Sequence, residues 1–155
     1  MGSLPPDVKP HGEISYRTPQ PDYAVIPSLP GRVIALGPSG SGKGIILQNF
    51  LLKYWRGKFA RIYYFSPTVH LDPALVPVAR YIEGSLGQTD WAHDRFEEEA
   101  LQDILDTQTK VCDYLKKKHP HGGDMYNICV VIDDFADDAR VVRGSKALIS
   151  FYLRG

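Results

Sequence analysis

A glycine-rich segment in the first third of the chain has the residue types and spacing of a phosphate-binding loop. Gly37, Gly42 and Lys43 match the pattern G-x-x-x-x-G-K, in which glycines let the backbone curl until several N–H groups point at one anion. The lysine ammonium then reaches the β- and γ-phosphates of a nucleoside triphosphate. The residues predicted to contact the nucleotide are Gly37, Pro38, Ser39, Gly40, Ser41, Gly42, Lys43 and Gly44.

An acidic pair supplies the second half of the predicted site. Asp133 and Asp134 follow the apolar run 127–132, and an apolar strand that ends in a carboxylate is typical of the metal-binding element of phosphate-loop ATPases. Asp133 is therefore predicted to hold Mg²⁺, and Asp134 to orient and deprotonate the attacking water. Asp137 and Asp138 are predicted to lie in the following loop or to cap the last helix.

One position departs from this chemistry. Phosphate loops usually have Ser or Thr after the lysine, and its hydroxyl ligates Mg²⁺, whereas this chain has Gly44 followed by Ile45. Without that hydroxyl, Mg²⁺ would be held by phosphate oxygens, water and Asp133. We expect nucleotide binding to survive the change and hydrolysis to slow.

The elements that must position these residues alternate between strands and helices. Apolar runs predict buried strands, and apolar residues at helical spacing predict helices between them. The predicted strands are 32–36, 61–65 and 127–132, and the predicted helices are 42–54, a short one beginning at 72–73, 97–118 and 145–153. This alternation indicates an α/β domain, a P-loop NTPase fold whose parallel sheet is flanked by helices and is incomplete, with about three core strands.

Length and composition limit the function classes. The chain has 155 residues, enough for one domain, and 43% of them are hydrophobic. Eighteen basic residues balance eighteen acidic ones, so the overall charge gives no sign of a nucleic-acid surface. The two cysteines have the spacing of neither a zinc site nor a disulfide framework. No apolar stretch resembles a signal peptide or a membrane span, so we expect an intracellular protein with no membrane partner.

Proline content divides the chain into a leader and a domain. Residues 1–30 are rich in proline and are predicted to form an extended leader, with short strands at 14–16 and 23–26. Residues 31–155 are predicted to form the phosphate-loop domain, as the N-terminal part of a fold whose later strands are missing.

With both motifs placed, the chain resembles the DNA-packaging ATPases of large DNA viruses and of Maverick/Polinton-type elements. These belong to the FtsK–HerA group of ring-forming P-loop motors. The resemblance covers residues from about 30 to the C-terminus and rests on three segments. They are the phosphate loop at 37–43, Tyr-Phe-Ser-Pro-Thr at 64–68 and Val-Ile-Asp-Asp at 131–134.

The resemblance implies ATP hydrolysis coupled to the movement of double-stranded DNA through a homo-oligomeric ring. Lys43 would contact the phosphates, Asp133 would bind Mg²⁺ and Asp134 would activate water. The location would be the cytoplasm or nucleus, with a virion or viral factory as further options. In this class another strand follows the acidic strand and lies between it and the phosphate-loop strand. The chain reaches only Gly155, so we expect a truncated or degenerate copy.

Two other functions remain open. A non-catalytic nucleotide-binding remnant is favoured by Gly44 and by the early end of the chain. A nucleoside monophosphate kinase is favoured by the Gly-Lys-Gly at 42–44, and is disfavoured by Ile45 and by the lack of an arginine-rich lid that would clamp the donor phosphates.

Overall fold

The computed structural model describes residues 15–38, 40–135 and 144–154, without the side chains of 15 and 152–154. Within these ranges the chain is mixed α/β, with small parallel sheets and helices. None of the described helices is both long and apolar enough to cross a membrane.

The central sheet has three parallel strands in the order β3-β2-β5. Strand β2 is Arg61–Phe65, and it pairs along its whole length with β5, Ile128–Ile132. Strand β3, Ala92–His93, pairs with the other edge of β2. All three strands point the same way, so their carboxyl ends meet at one edge of the sheet, where ligands bind in open α/β folds.

Helices connect the strands and cover both faces of the sheet. Helix α1 continues directly into a π-helical turn, and a 3₁₀ turn leads directly into α2. The helical segments are α1 at Lys43–Asn49, the π-helical turn at Phe50–Tyr54, the 3₁₀ turn at Pro73–Leu75, α2 at Val76–Ser85, α3 at Glu98–Lys118 and α4 at Lys146–Arg154. Asp72 caps the 3₁₀ turn, because its carboxylate accepts the amide hydrogen of Ala74 at 2.8 Å.

Alternate residues of β2 face two separate hydrophobic clusters. Ile62 and Tyr64 belong to the first cluster, together with residues of the π-helical turn and of α2. Tyr63 and Phe65 belong to the second cluster, together with residues of α3 and α4. This division follows from the strand period of two residues, which sends successive side chains to opposite faces of a sheet. Because both faces are covered, β2 is the most thoroughly buried strand of the central sheet.

A second, two-stranded sheet attaches the leader to the rest of the chain. Strand β1, Ser15–Arg17, pairs in parallel with β4, Gly122–Asp124. The Tyr16 hydroxyl donates to the carbonyl oxygens of Lys116 (3.3 Å) and His119 (3.1 Å). The leader therefore supplies partners for carbonyl groups at the C-terminal end of α3, which the helix itself leaves unpaired.

Two predicted strands are wrong. Residues 23–26 form a turn in which the Ile26 amide donates to the Tyr23 carbonyl oxygen at 3.0 Å. Residues 32–36 have no regular secondary structure and pair with no strand in the described chain, and Ile34 and Leu36 are 70% and 91% exposed. The strand partner is lacking because β3 and β5 already occupy both edges of β2, and no described strand lies on the other edge of β5.

Strand β4 at 122–124 was not predicted, because this segment was expected to be a turn after the long helix. Other predicted elements agree with the structure to within a residue or two at their ends. The strands at 61–65 and 127–132 are confirmed as β2 and β5, and the helices at 97–118 and 145–153 as α3 and α4. The leader strand at 14–16 is found one residue later, with residue 14 outside the described ranges. Strand β3 was not predicted, since two residues make no detectable apolar run.

Candidate functional site

The glycine-rich loop has the backbone shape that several glycines permit and other residues resist. Gly40 and Gly42 have φ angles of 75° and 87°, in the left-handed region. The Ser41 amide donates to the Pro38 carbonyl oxygen at 3.3 Å, which closes a turn. A Cβ atom on Gly37 would lie 2.8 Å from the Ser41 hydroxyl oxygen. The left-handed backbone therefore favours glycine at positions 40 and 42, whereas at Gly37 the close atom belongs to a serine side chain that can rotate away.

Lys43 folds back over this loop. Its Nζ atom donates to the carbonyl oxygens of Gly37 at 2.7 Å and Pro38 at 2.8 Å. The ammonium group carries three donors and can exchange these two carbonyl oxygens for phosphate oxygens of greater negative charge. Ser39, also predicted to contact the nucleotide, lies outside the described residues.

Gly44 occupies the second position of α1 and faces open space. A Cβ atom built there would meet nothing within 4 Å, and the residue has an ordinary helical backbone. The position can therefore accept a larger side chain, and its lack of a hydroxyl is a property of the sequence and not a steric necessity.

Asp133 lies directly after β5, at the carboxyl edge of the central sheet. Its amide donates to the Phe65 carbonyl oxygen at 2.9 Å, which extends the β2–β5 ladder by one bond. Its carboxylate Oδ2 accepts a hydrogen bond from the Tyr64 hydroxyl at 3.1 Å. Asp133 is half-buried, and its other carboxylate oxygen accepts no hydrogen bond from the residues that the structure describes.

Tyr64 was not predicted as a site residue. Burial of the ring, followed by the neighbouring negative charge of Asp133, raises the pKa of the Tyr64 hydroxyl well above its ordinary value. The hydroxyl therefore keeps its proton and acts as a donor across the whole physiological pH range. Only the pairing register, which sets Tyr64 opposite Val131, could have indicated this contact, because Val131 and Asp133 share one face of β5.

Asp134 has an unusual backbone conformation. Its φ angle is 59°, and it is the one non-glycine residue with a positive φ among the described residues. The left-handed region disfavours side chains, although Asp and Asn tolerate it better than most. The chain bends there, and Asp134 is exposed. Backbone strain of this kind is concentrated at functional sites.

Other polar residues share the carboxyl edge of the sheet. The buried Ser66 follows β2, and its hydroxyl lies 3.2 Å from that of Thr68. His93, the last residue of β3, stacks on Phe65 with ring centroids 4.3 Å apart. Burial lowers the pKa of His93, so its imidazole is neutral at neutral pH. His93 could not be predicted as a site residue, because β3 itself was not predicted.

The loop and the acidic pair are connected through the first hydrophobic cluster. Leu51, in the π-helical turn that continues α1, packs in the same cluster as Tyr64 and Val131. The helix that begins in the phosphate loop therefore rests on the sheet face from which the Tyr64 hydroxyl reaches Asp133. Among the described residues, no hydrogen bond or ion pair joins Lys43 directly to Asp133.

The donor groups suit Mg²⁺ bound together with a nucleotide better than a metal ion held by protein alone. No group of three or more His, Cys, Asp or Glu side chains that could hold a metal occurs in the described part of the chain. Mg²⁺ is commonly held by one or two carboxylates together with substrate phosphates and water. Asp133 provides one accessible carboxylate and therefore fits that requirement. The predicted roles of Asp137 and Asp138 fall outside the described residues.

No protein-family model, curated protein or solved structure matches the chain.

Proposed function

We propose that the chain binds ATP through the loop at 37–44, with Lys43 on the β- and γ-phosphates, and hydrolyses it slowly. Asp133 holds Mg²⁺ in this proposal, and Asp134 is the acid that activates water. The proposed fold is a P-loop NTPase domain, and the proposed relatives are the ring-forming DNA-packaging motors. Double-stranded DNA and further copies of the same chain would then be its partners.

The main support is the position of the Lys43 ammonium inside its own loop. The ammonium is held at 2.7 and 2.8 Å by two loop carbonyl oxygens, and the loop backbone turns through left-handed Gly40 and Gly42. The ammonium is therefore held at the same loop to which the phosphates are proposed to bind. A triphosphate brings the negative charge that such an arrangement lacks.

The acidic pair gives independent support. Two elements far apart in the sequence, the phosphate-loop helix and the end of β5, contact one hydrophobic cluster on the same face of the sheet. The carboxylate of Asp133 is also on this face, as its bond to Tyr64 requires. An ATPase site needs a phosphate cradle and a carboxylate at the carboxyl edge of a parallel sheet.

The residues of the chain have separate roles in the proposed reaction. Lys43 neutralises charge on the phosphate oxygens, and the loop amides orient the triphosphate. Asp134 accepts a proton from the attacking water, and the bond between the γ-phosphorus and the bridging oxygen breaks as the new P–O bond forms. Asp133 would hold Mg²⁺ together with the phosphates, and the ion would supply positive charge that favours the reaction.

Binding without turnover is the second candidate function. It is favoured by Gly44, which leaves Mg²⁺ without the usual hydroxyl ligand, and by the exposed segment 32–36, which leaves the loop without a paired strand before it. Both features weaken the placement of the γ-phosphate more than they weaken contact with the phosphates. The two functions share the same binding site and differ only in hydrolysis.

Calorimetric titration with a slowly hydrolysed ATP analogue tests the shared part of the proposal. We expect dissociation constants on the order of micromolar with Mg²⁺ present, and no measurable binding by the Lys43→Ala variant. Lys53→Ala is the matched control, because Lys53 is an exposed lysine of the adjoining π-helical turn and its removal changes the net charge equally. Equal affinity in the parent chain and in Lys43→Ala would contradict the proposed site.

Phosphate release then separates the functions. An ATPase motor should release phosphate from ATP, and double-stranded DNA should increase the rate. A non-catalytic protein should bind the analogue yet release no phosphate above background. Transfer of phosphate to AMP, with no release to water, would instead indicate a nucleoside monophosphate kinase.

A further inference from the structure

Two consecutive residues of β2 hold the acidic end of β5. The Phe65 carbonyl oxygen accepts the Asp133 amide hydrogen at 2.9 Å, and the Tyr64 hydroxyl donates to Asp133 Oδ2 at 3.1 Å. Both the backbone and the carboxylate of Asp133 are therefore attached to the neighbouring strand. A residue at the free end of a strand would otherwise retain side-chain freedom.

The ring of Tyr64 is buried, and its surroundings restrict where its hydroxyl can lie. The side chain is 1% exposed and packs in the first hydrophobic cluster with Leu51, Leu75 and Val131. The pairing of Tyr64 with Val131 places it on the face that Asp133 shares two residues later. The position of the hydroxyl is thus set by packing and by strand register.

The hydrogen bond leaves one oxygen of the carboxylate for a ligand. Oδ2 accepts from Tyr64, while Oδ1 accepts no hydrogen bond from any residue that the structure describes. Fixing one oxygen selects a single orientation of the carboxylate group. A carboxylate already held in the orientation that binds a cation loses less conformational entropy when the cation arrives.

We propose that Tyr64 is a positioning residue whose hydroxyl orients Asp133 so that Oδ1 faces the Mg²⁺ of a bound nucleotide. This assignment rests on the proposed nucleotide-binding function. Tyr64 contacts neither the nucleotide nor the cation, and it acts only through Asp133. Its effect must therefore appear in the dependence of nucleotide affinity on Mg²⁺, and not in nucleotide affinity measured without a metal.

The test is the gain in affinity for a slowly hydrolysed ATP analogue when Mg²⁺ replaces EDTA. In Tyr64→Phe we expect this gain to fall about ten-fold, while affinity in EDTA stays as in the parent chain. The substitution keeps the ring and its volume, so the fold should persist. Circular dichroism and the urea midpoint of each variant verify this before titration.

Tyr63→Phe is the matched control. Tyr63 precedes Tyr64 in the same strand and is also buried, but it packs in the second hydrophobic cluster on the other face of the sheet. Tyr63→Phe removes one hydroxyl oxygen from β2, as Tyr64→Phe does, but this oxygen is not the one that is hydrogen-bonded to Asp133. We expect the Mg²⁺-dependent gain of this variant to equal that of the parent chain.

A double-variant cycle with Asp133→Asn tests whether Tyr64 acts through the carboxylate. In the Asp133→Asn background, Tyr64→Phe should cause no further loss of the Mg²⁺-dependent gain. If the Mg²⁺-dependent gain of Tyr64→Phe equals or exceeds that of the parent chain while binding in EDTA is normal, the assigned role of Tyr64 is wrong. The proposed nucleotide-binding function would still stand. No binding of the analogue by the folded parent chain would overturn the proposed function, and this assignment with it.

Discussion

Two five-residue segments with nearly the same sequence pattern differ in burial, since one is a buried strand and the other is exposed. Residues 32–36 and strand Arg61–Phe65 each begin with arginine and continue with four apolar residues. Phe65, the last residue of the second segment, is completely buried, whereas Leu36, the last of the first, is 91% exposed. The difference lies in their neighbours, because β2 has a strand on each edge and helices on both faces.

The comparison separates what local sequence determines from what tertiary contacts determine. The shape of the phosphate loop depends on residues within a few positions of one another, namely its glycines and Lys43. It forms even though the segment before it pairs with no strand among the described residues. The acidic end of the site depends instead on contacts between residues 69 positions apart, such as Tyr64 and Asp133.

The largest predicted effect compares one substitution in the two segments. Ile62→Ala removes a side chain that is 1% exposed, and we expect it to lower the free energy of unfolding by about 2–5 kcal/mol. Ile34→Ala makes the same chemical change at an exposed position and should change the free energy by no more than about 0.5 kcal/mol. Urea denaturation followed by circular dichroism measures both values. A loss above 2 kcal/mol in Ile34→Ala would mean that the first segment is buried in the folded protein.

The second prediction concerns the backbone of Asp134, which lies two residues after the end of β5. Its φ angle of 59° disfavours alanine and suits glycine, so Asp134→Ala should be less stable than Asp134→Gly by about 1 kcal/mol. Asp134→Asn should have nearly the stability of the parent chain, since Asn tolerates this conformation. All three changes remove the carboxylate and should abolish any phosphate release. Equal stability of the Ala and Gly variants would show that the φ angle is not as described.

The third prediction uses the open space around Gly44, in the helix that follows the exposed segment 32–36. Gly44→Thr and Gly44→Val have nearly the same shape and should each stabilise α1 by a few tenths of a kcal/mol, roughly the difference in helix propensity from glycine. Only the threonine hydroxyl can ligate Mg²⁺, so only Gly44→Thr should increase the Mg²⁺-dependent gain in nucleotide affinity. The same gain in both variants would show that Mg²⁺ is held without this position.

The smallest predicted effect concerns the attachment of α4 to α3. The Glu98 carboxylate accepts the Ala147 amide hydrogen at 3.0 Å, and this bond lowers the pKa of Glu98 below its ordinary 4.5. The folded-state pKa is the lower one, so the contribution to stability is complete above the unfolded pKa. It is lost as pH falls through the folded value.

Glu98→Gln should therefore be less stable than the parent chain at pH 7, and the difference should shrink as the pH is lowered to about 3. Glu99→Gln is the control, because Glu99 is an exposed residue of the same first helical turn. Urea midpoints measured across this pH range decide the question. A difference in stability that stays constant with pH would show that the ionised form of Glu98 is not what stabilises the fold.

Much of the fold could be predicted because the relevant signals are local or periodic. The long apolar stripe of α3 is typical of a helix, and the continuous apolar runs of β2 and β5 are typical of buried strands. Strand β3 could not be predicted, since two residues carry no pattern and form a strand only beside β2. The strand at 32–36 was wrongly predicted because an apolar run specifies a strand only where another strand is available to pair with it.

The candidate site divides in the same way. The loop glycines and Lys43 follow from spacing alone, and their geometry suits the predicted use. The hydrogen bond between Tyr64 and Asp133 depends on strand register, and the φ angle of Asp134 depends on how the chain leaves the sheet. Neither feature can be obtained from one segment considered alone, because each results from contacts between segments.

Hydrogen–deuterium exchange of the full chain, with and without a slowly hydrolysed ATP analogue and Mg²⁺, tests most directly that the loop is the nucleotide site. We predict slower exchange at the amides of residues 40–46, with smaller changes near Asp133 and little change in α3. The Lys43→Ala variant should lose this protection. Protection that appears elsewhere and spares the loop, or protection that persists in Lys43→Ala, would contradict the account.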